Sequence, residues 1–450
     1  MEQPQQSEFR RALGPWSAGA LVAGSMIGTG IFFFVSDVAV RLPNAAAILA
    51  VWLVGAAVAS CGALCLAELA AAYPKTGGIY VFIRQAYGPL VGFLYTWAKF
   101  LIMRPGSFGI MAVAFAGFCI DFLQLGQQTP PWLQKTLAVG AVVILTAINV
   151  IGVRLGGGVQ NVLTAAKIFC LVGIIGVGLA FGLGWLEAHP VDIQPAEQPE
   201  AIGLLLFGAA LIPVMWTFGG WDESPFVAEE VHNPERNLPL SILGGLWTVA
   251  ILFVVVNAAY LLILSPAEMG GSGTETATIA MERALGPPAR RILSFALIIS
   301  TLGAANGWAM TGGRIAYATG RDQALFRWFA HVNPRTRTPV RSLVVQAVLV
   351  IAAILILEDP FQLLLYTGLA YWAFAALTAA AVIVMRCRDP LKDRPFKVWG
   401  YPATPIVAVA ASVSMGIFVT LTDTHNALVT LGILAAGTVA YAVQLAACRR

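Results

Sequence analysis

Residues 15–36 read PWSAGALVAGSMIGTGIFFFVS. The run is apolar, and a helix needs about 20 such residues to cross a bilayer. Inside it, Gly24-Ser25-Met26-Ile27-Gly28-Thr29-Gly30 puts three glycines into seven residues. Each costs a helix interior about 1 kcal/mol relative to Ala. Small residues also let membrane helices approach closely, so the stretch alone fits either a tight contact or a helix that breaks. A second stretch, PVMWTFGGWD at 213–222, shifts the reading to a break. Pro213 removes a backbone donor, and Gly219-Gly220 weakens the helix one to two turns later. Asp222 and Glu223 follow within the same apolar run. Unwound backbone leaves N–H and C=O groups without intrahelical partners, and at membrane depth these are tolerated only where they line a cavity. Free N–H groups suit a carboxylate, and free carbonyls suit an ammonium. A zwitterion carrying both on one carbon, an α-amino acid, answers both. Interrupted helices in corresponding positions of two halves point to an inverted-repeat transporter site. The halves share no residue-level similarity, so the repeat is read from topology.

Working outward, the 450 residues are 58% hydrophobic and only 11% charged, where a soluble domain carries about 25% charged residues. That excludes an ordinary globular enzyme, a disordered scaffold and a nucleic-acid binder. Twelve apolar helices are expected near 15–36, 44–69, 83–121, 135–151, 161–184, 203–230, 239–264, 289–317, 340–357, 361–386, 403–421 and 426–447. Lys and Arg collect in alternate loops, as the positive-inside rule requires for both termini in the cytoplasm. The segment from Glu187 to Glu200 has acids and no Lys or Arg. The polar start, Met1 to Arg11, has no apolar stretch of its own, so no cleaved signal is expected. Residues 12–184 and 203–386 would form the two repeats, and 403–447 two additional helices. Cys61 and Cys65 lie four apart with no third ligand nearby, so no metal site is expected.

At the two breaks the chain resembles the amino acid–polyamine–organocation transporter superfamily, and within it the L-type amino acid transporter branch. The residues that carry this are Gly24 to Phe32; Tyr73-Pro74-Lys75-Thr76-Gly77-Gly78-Ile79-Tyr80; Arg104-Pro105-Gly106-Ser107; Trp216 to Trp221; Glu229 to Pro239; Gly303 to Asn306; and Arg314 and Arg321-Asp322. The family usually has an acid where this chain has Ile79, so no acidic role is carried over there. The resemblance implies an all-α integral membrane protein with 12 transmembrane helices. It implies a LeuT-type five-plus-five inverted repeat, helices 1 and 6 unwound, and two C-terminal helices. It further implies that the amides of Thr29 and Gly30, with Gly28, hold a substrate carboxylate. The carbonyls of Met26, Trp216 and Gly219 would hold the amine, with Trp216 as an aromatic gate.

Lys167 lies in the fifth span, where a central Lys costs about 2.5–3.5 kcal/mol on insertion scales. Snorkelling from a helix end is one reading. The other is an ammonium beside the first break, holding carbonyls of helices one and eight. In the branch that the chain resembles, a Lys replaces the cation of sodium-coupled relatives, so no Na⁺ requirement is expected. The side-chain pocket is expected to comprise Ile27, Met103, Trp216, Asn306 and Tyr366. Lys99 and Arg104 receive no substrate role and are expected to pair with acids or sit in a vestibule, and Asp222 and Glu223 are expected to pair or cap. Glu68 reads as structural. Arg314 and Arg321 are expected to face cytoplasmic water, with Glu229 or Glu230 as partners. The sequence therefore reads as a plasma-membrane carrier of neutral L-α-amino acids that works by alternating access without a cofactor. Exchange is favoured over proton symport, and a cationic amino acid or polyamine carrier is the alternative. No accessory subunit is implied, because no extracellular Cys offers a disulfide to one.

Overall fold

The computed structural model describes residues 9–126, 129–199, 201, 203–357 and 368–448. Among them, ten helices are long and apolar enough to cross a membrane. Two shorter apolar helices, Leu204–Thr217 and Val340–Ile356, accompany them. No sheet forms among the described residues; the nearest thing is an isolated parallel bridge between Leu13 and Val231. The protein is an all-α, multi-span membrane bundle.

The elements that position the site are α1 (Pro15–Met26), α2 (Gly30–Phe33), α3 (Ala45–Ala72), α4 (Ile79–Tyr87), α5 (Pro89–Phe122), α6 (Pro131–Ile151), α7 (Val153–Gly182), α8 (Leu204–Thr217), α9 (Pro234–Ile263), α10 (Pro288–Gly320) and α11 (Gly368–Arg388). α1 packs against α7, α9 and α10. α10 is buried along most of its length from Ser300 to Gly320. Behind the second break, Trp52 of α3, Phe218 and Phe253 of α9 form a ring cluster with centroids 5.6–5.9 Å apart. That cluster anchors the chain just past α8.

Three boundaries differ from the sequence expectation. The third apolar run divides at Gly88, whose φ of +93° favours glycine, and Pro89 then starts α5 as its first helical residue. α7 begins at Val153, not near 161, because Gln160 turns inward: it is fully buried against α1 and α10. The sixth run is helical only to Thr217; after a turn, a short 3₁₀ helix spans Ser224–Glu230. Residues 361–367 of the expected tenth span lie outside the described residues.

Polar ties fix the end of the bundle that carries the chain start. Ala12 and Leu13 amides donate to the Glu230 carbonyl at 2.9 Å, and His232 N–H donates to Leu13. The Glu230 carboxylate takes two bonds from Arg314, at 2.5 and 2.9 Å. Arg314 was expected in water; it is fully buried instead, because Glu230 neutralises it inside the bundle. Arg321 stays partly exposed, 3.6 Å from Glu229. Glu68, at the end of α3, binds Arg386 and Arg394 and accepts from the Val398 amide, which ties α3 to the chain after α11.

Candidate functional site

Helix α1 stops at Met26 and the chain becomes helical again only at Gly30. Gly28 N–H turns back to the Met26 carbonyl at 2.9 Å. It therefore cannot serve Gly24, whose carbonyl loses its helical donor. Among the described residues, the N–H groups of Thr29 and Gly30 have no backbone acceptor. The second break runs through Phe218–Glu223. There Gly219 N–H donates to the Trp216 carbonyl at 3.0 Å, and Gly220 takes a φ of +106°. A Cβ on Gly220 would lie 2.8 Å from Ser25 C and 3.0 Å from Met26 N. The two breaks, far apart in sequence, thus touch backbone to backbone at a position only glycine fills. Thr217 completes the contact: its hydroxyl would lie 2.7 Å from a Cβ on Gly30.

A cavity of about 150 Å³ opens at this meeting point. Its wall includes Met26, Gly28, Thr29 and Gly30 from the first break, and Trp216, Gly219 and Gly220 from the second. Lys99, Met103 and Arg104 line it from α5, and Tyr371 from α11. The α5 residues Lys99–Met103 form a π-helical turn just before Pro105. Such turns arise where the regular hydrogen-bond ladder is disturbed, and they recur at functional sites. Tyr371 stacks on Trp216, with ring centroids 6.2 Å apart and planes at 15°.

Among the described residues, four charged side chains line the cavity, and they cancel. Arg104 binds Glu223 through two bonds of 3.1 Å, and Thr311 donates a third to the same carboxylate. Removing one member of such a buried pair costs about 3–5 kcal/mol, since the other charge is left uncompensated. Lys99 lies 3.6 Å from Asp222.

A family model for amino acid permeases matches residues 13–446. The chain belongs to the amino acid permease family. The permease is 30% identical to the b(0,+)-type amino acid transporter 1 of Oryctolagus cuniculus, over 88% of this chain and 80% of that one. It is also 30% identical to the serine/threonine exchanger SteT of Bacillus subtilis (strain 168), over 94% of each chain. Identity to the human Asc-type amino acid transporter 1 is 28%, over 87% of this chain and 74% of that one. The permease is a secondary-active amino acid transporter of the amino acid–polyamine–organocation superfamily, not an enzyme. These relatives spread over several branches and do not single out the L-type one. They also correct the expectation about partners. The b(0,+)-type transporters are light chains that pair with an accessory heavy chain, so the absence of a disulfide-ready Cys gave no ground for setting a subunit aside.

Lys167 of the permease is 1% exposed. Its ammonium donates to the carbonyls of Gly24, at 2.7 Å, and Ile27, at 2.6 Å. It does not snorkel. Among the described residues no carbonyl of helix eight accepts from Lys167; Ser300 of α10 is instead a second donor to the same break, reaching the Ile27 and Gly28 carbonyls at 3.2 and 3.1 Å. Gly303 makes room for this arrangement, since a Cβ there would lie 2.5 Å from Lys167 Cε.

Of the residues singled out from sequence, Met26, Gly28, Thr29, Gly30, Met103, Trp216 and Gly219 meet at the cavity. Ile27 does not line it; its side chain is fully buried and its carbonyl turns to Lys167. Asn306 also lies off the cavity wall. It is fully buried, accepts from Asn149 of α6 at 2.9 Å, and donates to Gln160 and the Gly156 carbonyl of α7. Tyr366 lies outside the described residues. Sequence reading missed Tyr371, five residues on, although an aromatic in an apolar helix opposite a Gly-Gly break is a signal of the same kind as Trp216. Lys99 and Arg104, given no substrate role, line the cavity and pair with acids there, one of the two placements expected of them.

Proposed function

We propose that the permease exchanges neutral L-α-amino acids across the plasma membrane by alternating access, without Na⁺. The observation that carries this reading is the cancelled charge of the cavity. Asp222 and Glu223 both have a cationic partner, so neither is a free counter-charge for a cationic amino acid or a polyamine. The N–H groups of Thr29 and Gly30, without a backbone acceptor among the described residues, offer donors to a carboxylate. The carbonyls of Met26 and Trp216 each accept one bond already and have a second lone pair for an ammonium; the Gly219 carbonyl joins them. Trp216, backed by Tyr371, covers the substrate as the gate. Lys167 takes the place of a bound cation beside the first break, which is why no sodium is needed.

In this reading, α1 to α7 and α8 to α11 are inverted repeats within residues 12–184 and 203–386, followed by two further helices within 403–447. The first and sixth of twelve spans are the interrupted ones, as in the LeuT-type fold, and both termini are cytoplasmic. The similarity to a protein named as an exchanger over 94% of both chains favours exchange over symport.

The test is uptake of a labelled neutral amino acid mixture into proteoliposomes without Na⁺ or a pH gradient. Vesicles loaded with unlabelled amino acids take up label, and empty vesicles do not. Uptake into empty vesicles that grows with an imposed proton gradient overturns exchange in favour of symport. Transport of lysine or putrescine alone overturns the neutral substrate.

A further inference from the structure

We infer that the Lys99–Asp222 pair makes the permease selective for uncharged polar amino acids, whose side chain carries a hydrogen-bond donor and an acceptor on one group. The inference rests on the reading of the cavity as the amino acid site.

The two ion pairs of the cavity are unlike. Arg104 and Glu223 are committed to one another by two bonds, with Thr311 as a third partner. Lys99 Nζ and Asp222 Oδ2 stand 3.6 Å apart, beyond hydrogen-bond distance. Among the described residues, neither group makes another ion pair or hydrogen bond; the only further contact is Lys99 Nζ 5.8 Å from the Tyr371 ring centroid. Yet Lys99 is 8% and Asp222 6% exposed. An ammonium has three donors and a carboxylate about four acceptor sites, so both heads keep capacity for a ligand that enters the cavity. The pair also borders a second cavity of about 60 Å³, which shares Lys99, Asp222 and Tyr371 with the first. It therefore faces open space on both sides, and packing does not compensate for the missing bonds.

The cavity wall thus presents a donor and an acceptor side by side with unmet capacity. A carboxamide or a hydroxyl answers both, accepting from Lys99 and donating to Asp222. A cationic or anionic side chain answers one and disturbs the balance of the other. An apolar side chain answers neither and leaves both unmade. Sites built to hydrogen-bond a substrate reject analogues that lack the group far more strongly than apolar pockets discriminate by size.

Near-isosteric pairs read this directly: L-threonine against L-valine, and L-asparagine against L-leucine. In the purified permease, binding is followed by ligand-induced thermal stabilisation and by competition with labelled L-alanine uptake in proteoliposomes. The polar member is expected to bind about tenfold or more tightly in at least one pair. The double substitution Lys99→Met/Asp222→Leu removes both charges without stranding either, and the polar-to-apolar ratio should fall towards one. Lys99→Arg keeps the donor and should keep the preference. Valine and leucine binding as well as threonine and asparagine overturns the inference, and so does a ratio that survives the double substitution. Lysine outcompeting all four also overturns it, by making Asp222 a counter-charge. If no amino acid binds at all, the reading of the cavity itself fails, which is a separate result.

Discussion

Gly220→Ala abolishes transport, although it adds one methyl group and no charge. Gly220 has a φ of +106°, and the added Cβ would lie 2.8–3.0 Å from the backbone of Ser25 and Met26. A side chain held in that region costs about 1–3 kcal/mol. The contact atoms are main chain and cannot rotate away, so the two breaks must separate. With each 1.4 kcal/mol worth about tenfold, the binding-competent arrangement loses on the order of a hundredfold in population. Uptake in proteoliposomes and the melting temperature of the purified protein both fall. Gly19→Ala is the control: a Cβ on Gly19 meets nothing within 4 Å, and uptake stays at the native level. A Gly220→Ala permease that transports normally would show that the breaks do not need to touch.

Lys167→Met has the second large effect. Gly24 loses its helical donor because Gly28 N–H turns to Met26, so among the described residues Lys167 is what satisfies the Gly24 carbonyl. The Ile27 carbonyl keeps Ser300 after the substitution; the Gly24 carbonyl keeps nothing. An orphaned buried acceptor costs about 1–3 kcal/mol, and the first break loses its tie to α7. Uptake is expected to fall by about a hundredfold, at about 1.4 kcal/mol per tenfold. Charge alone does not rescue it. Lys167→Arg fails as well: the lysine already needs a glycine opposite it, since a Cβ on Gly303 would lie 2.5 Å from Lys167 Cε, and a guanidinium is broader than the ammonium it would replace. Full uptake by Lys167→Met would detach this ammonium from the mechanism.

The two predictions rest on features that were legible in the sequence for a local reason. Three glycines in an apolar run, or a proline followed by Gly-Gly, weaken a helix whatever surrounds it. A lysine inside an apolar run must find partners. What the sequence hid is what depends on distant partners. Arg104 and Glu223 are 119 residues apart, and nothing near either one announces the other. Asn306 reads as a pocket residue for the same reason that it is not one. An amide in an apolar helix needs partners, and only tertiary packing reveals that Asn149 and Gln160 supply them. The division at Gly88 is hidden because the residues on both sides are apolar, so composition alone runs α4 into α5. The Glu230 partner of Arg314 is among those the sequence offers, but the burial of both is a product of packing, where each neutralises the other inside the bundle.

The central claim is that backbone groups freed by two touching breaks hold both ends of one zwitterion. The most direct test measures binding to the purified permease of L-leucine or L-threonine, whichever stabilises it more, beside two analogues of that amino acid, one lacking the carboxylate and one lacking the amine. The account predicts that the amino acid stabilises the protein against heat and that neither analogue does so at a hundredfold higher concentration, about 2.7 kcal/mol on the affinity scale. An amine without its carboxylate that binds as tightly as the amino acid would contradict it, and would return Asp222 and Glu223 to the role of counter-charges.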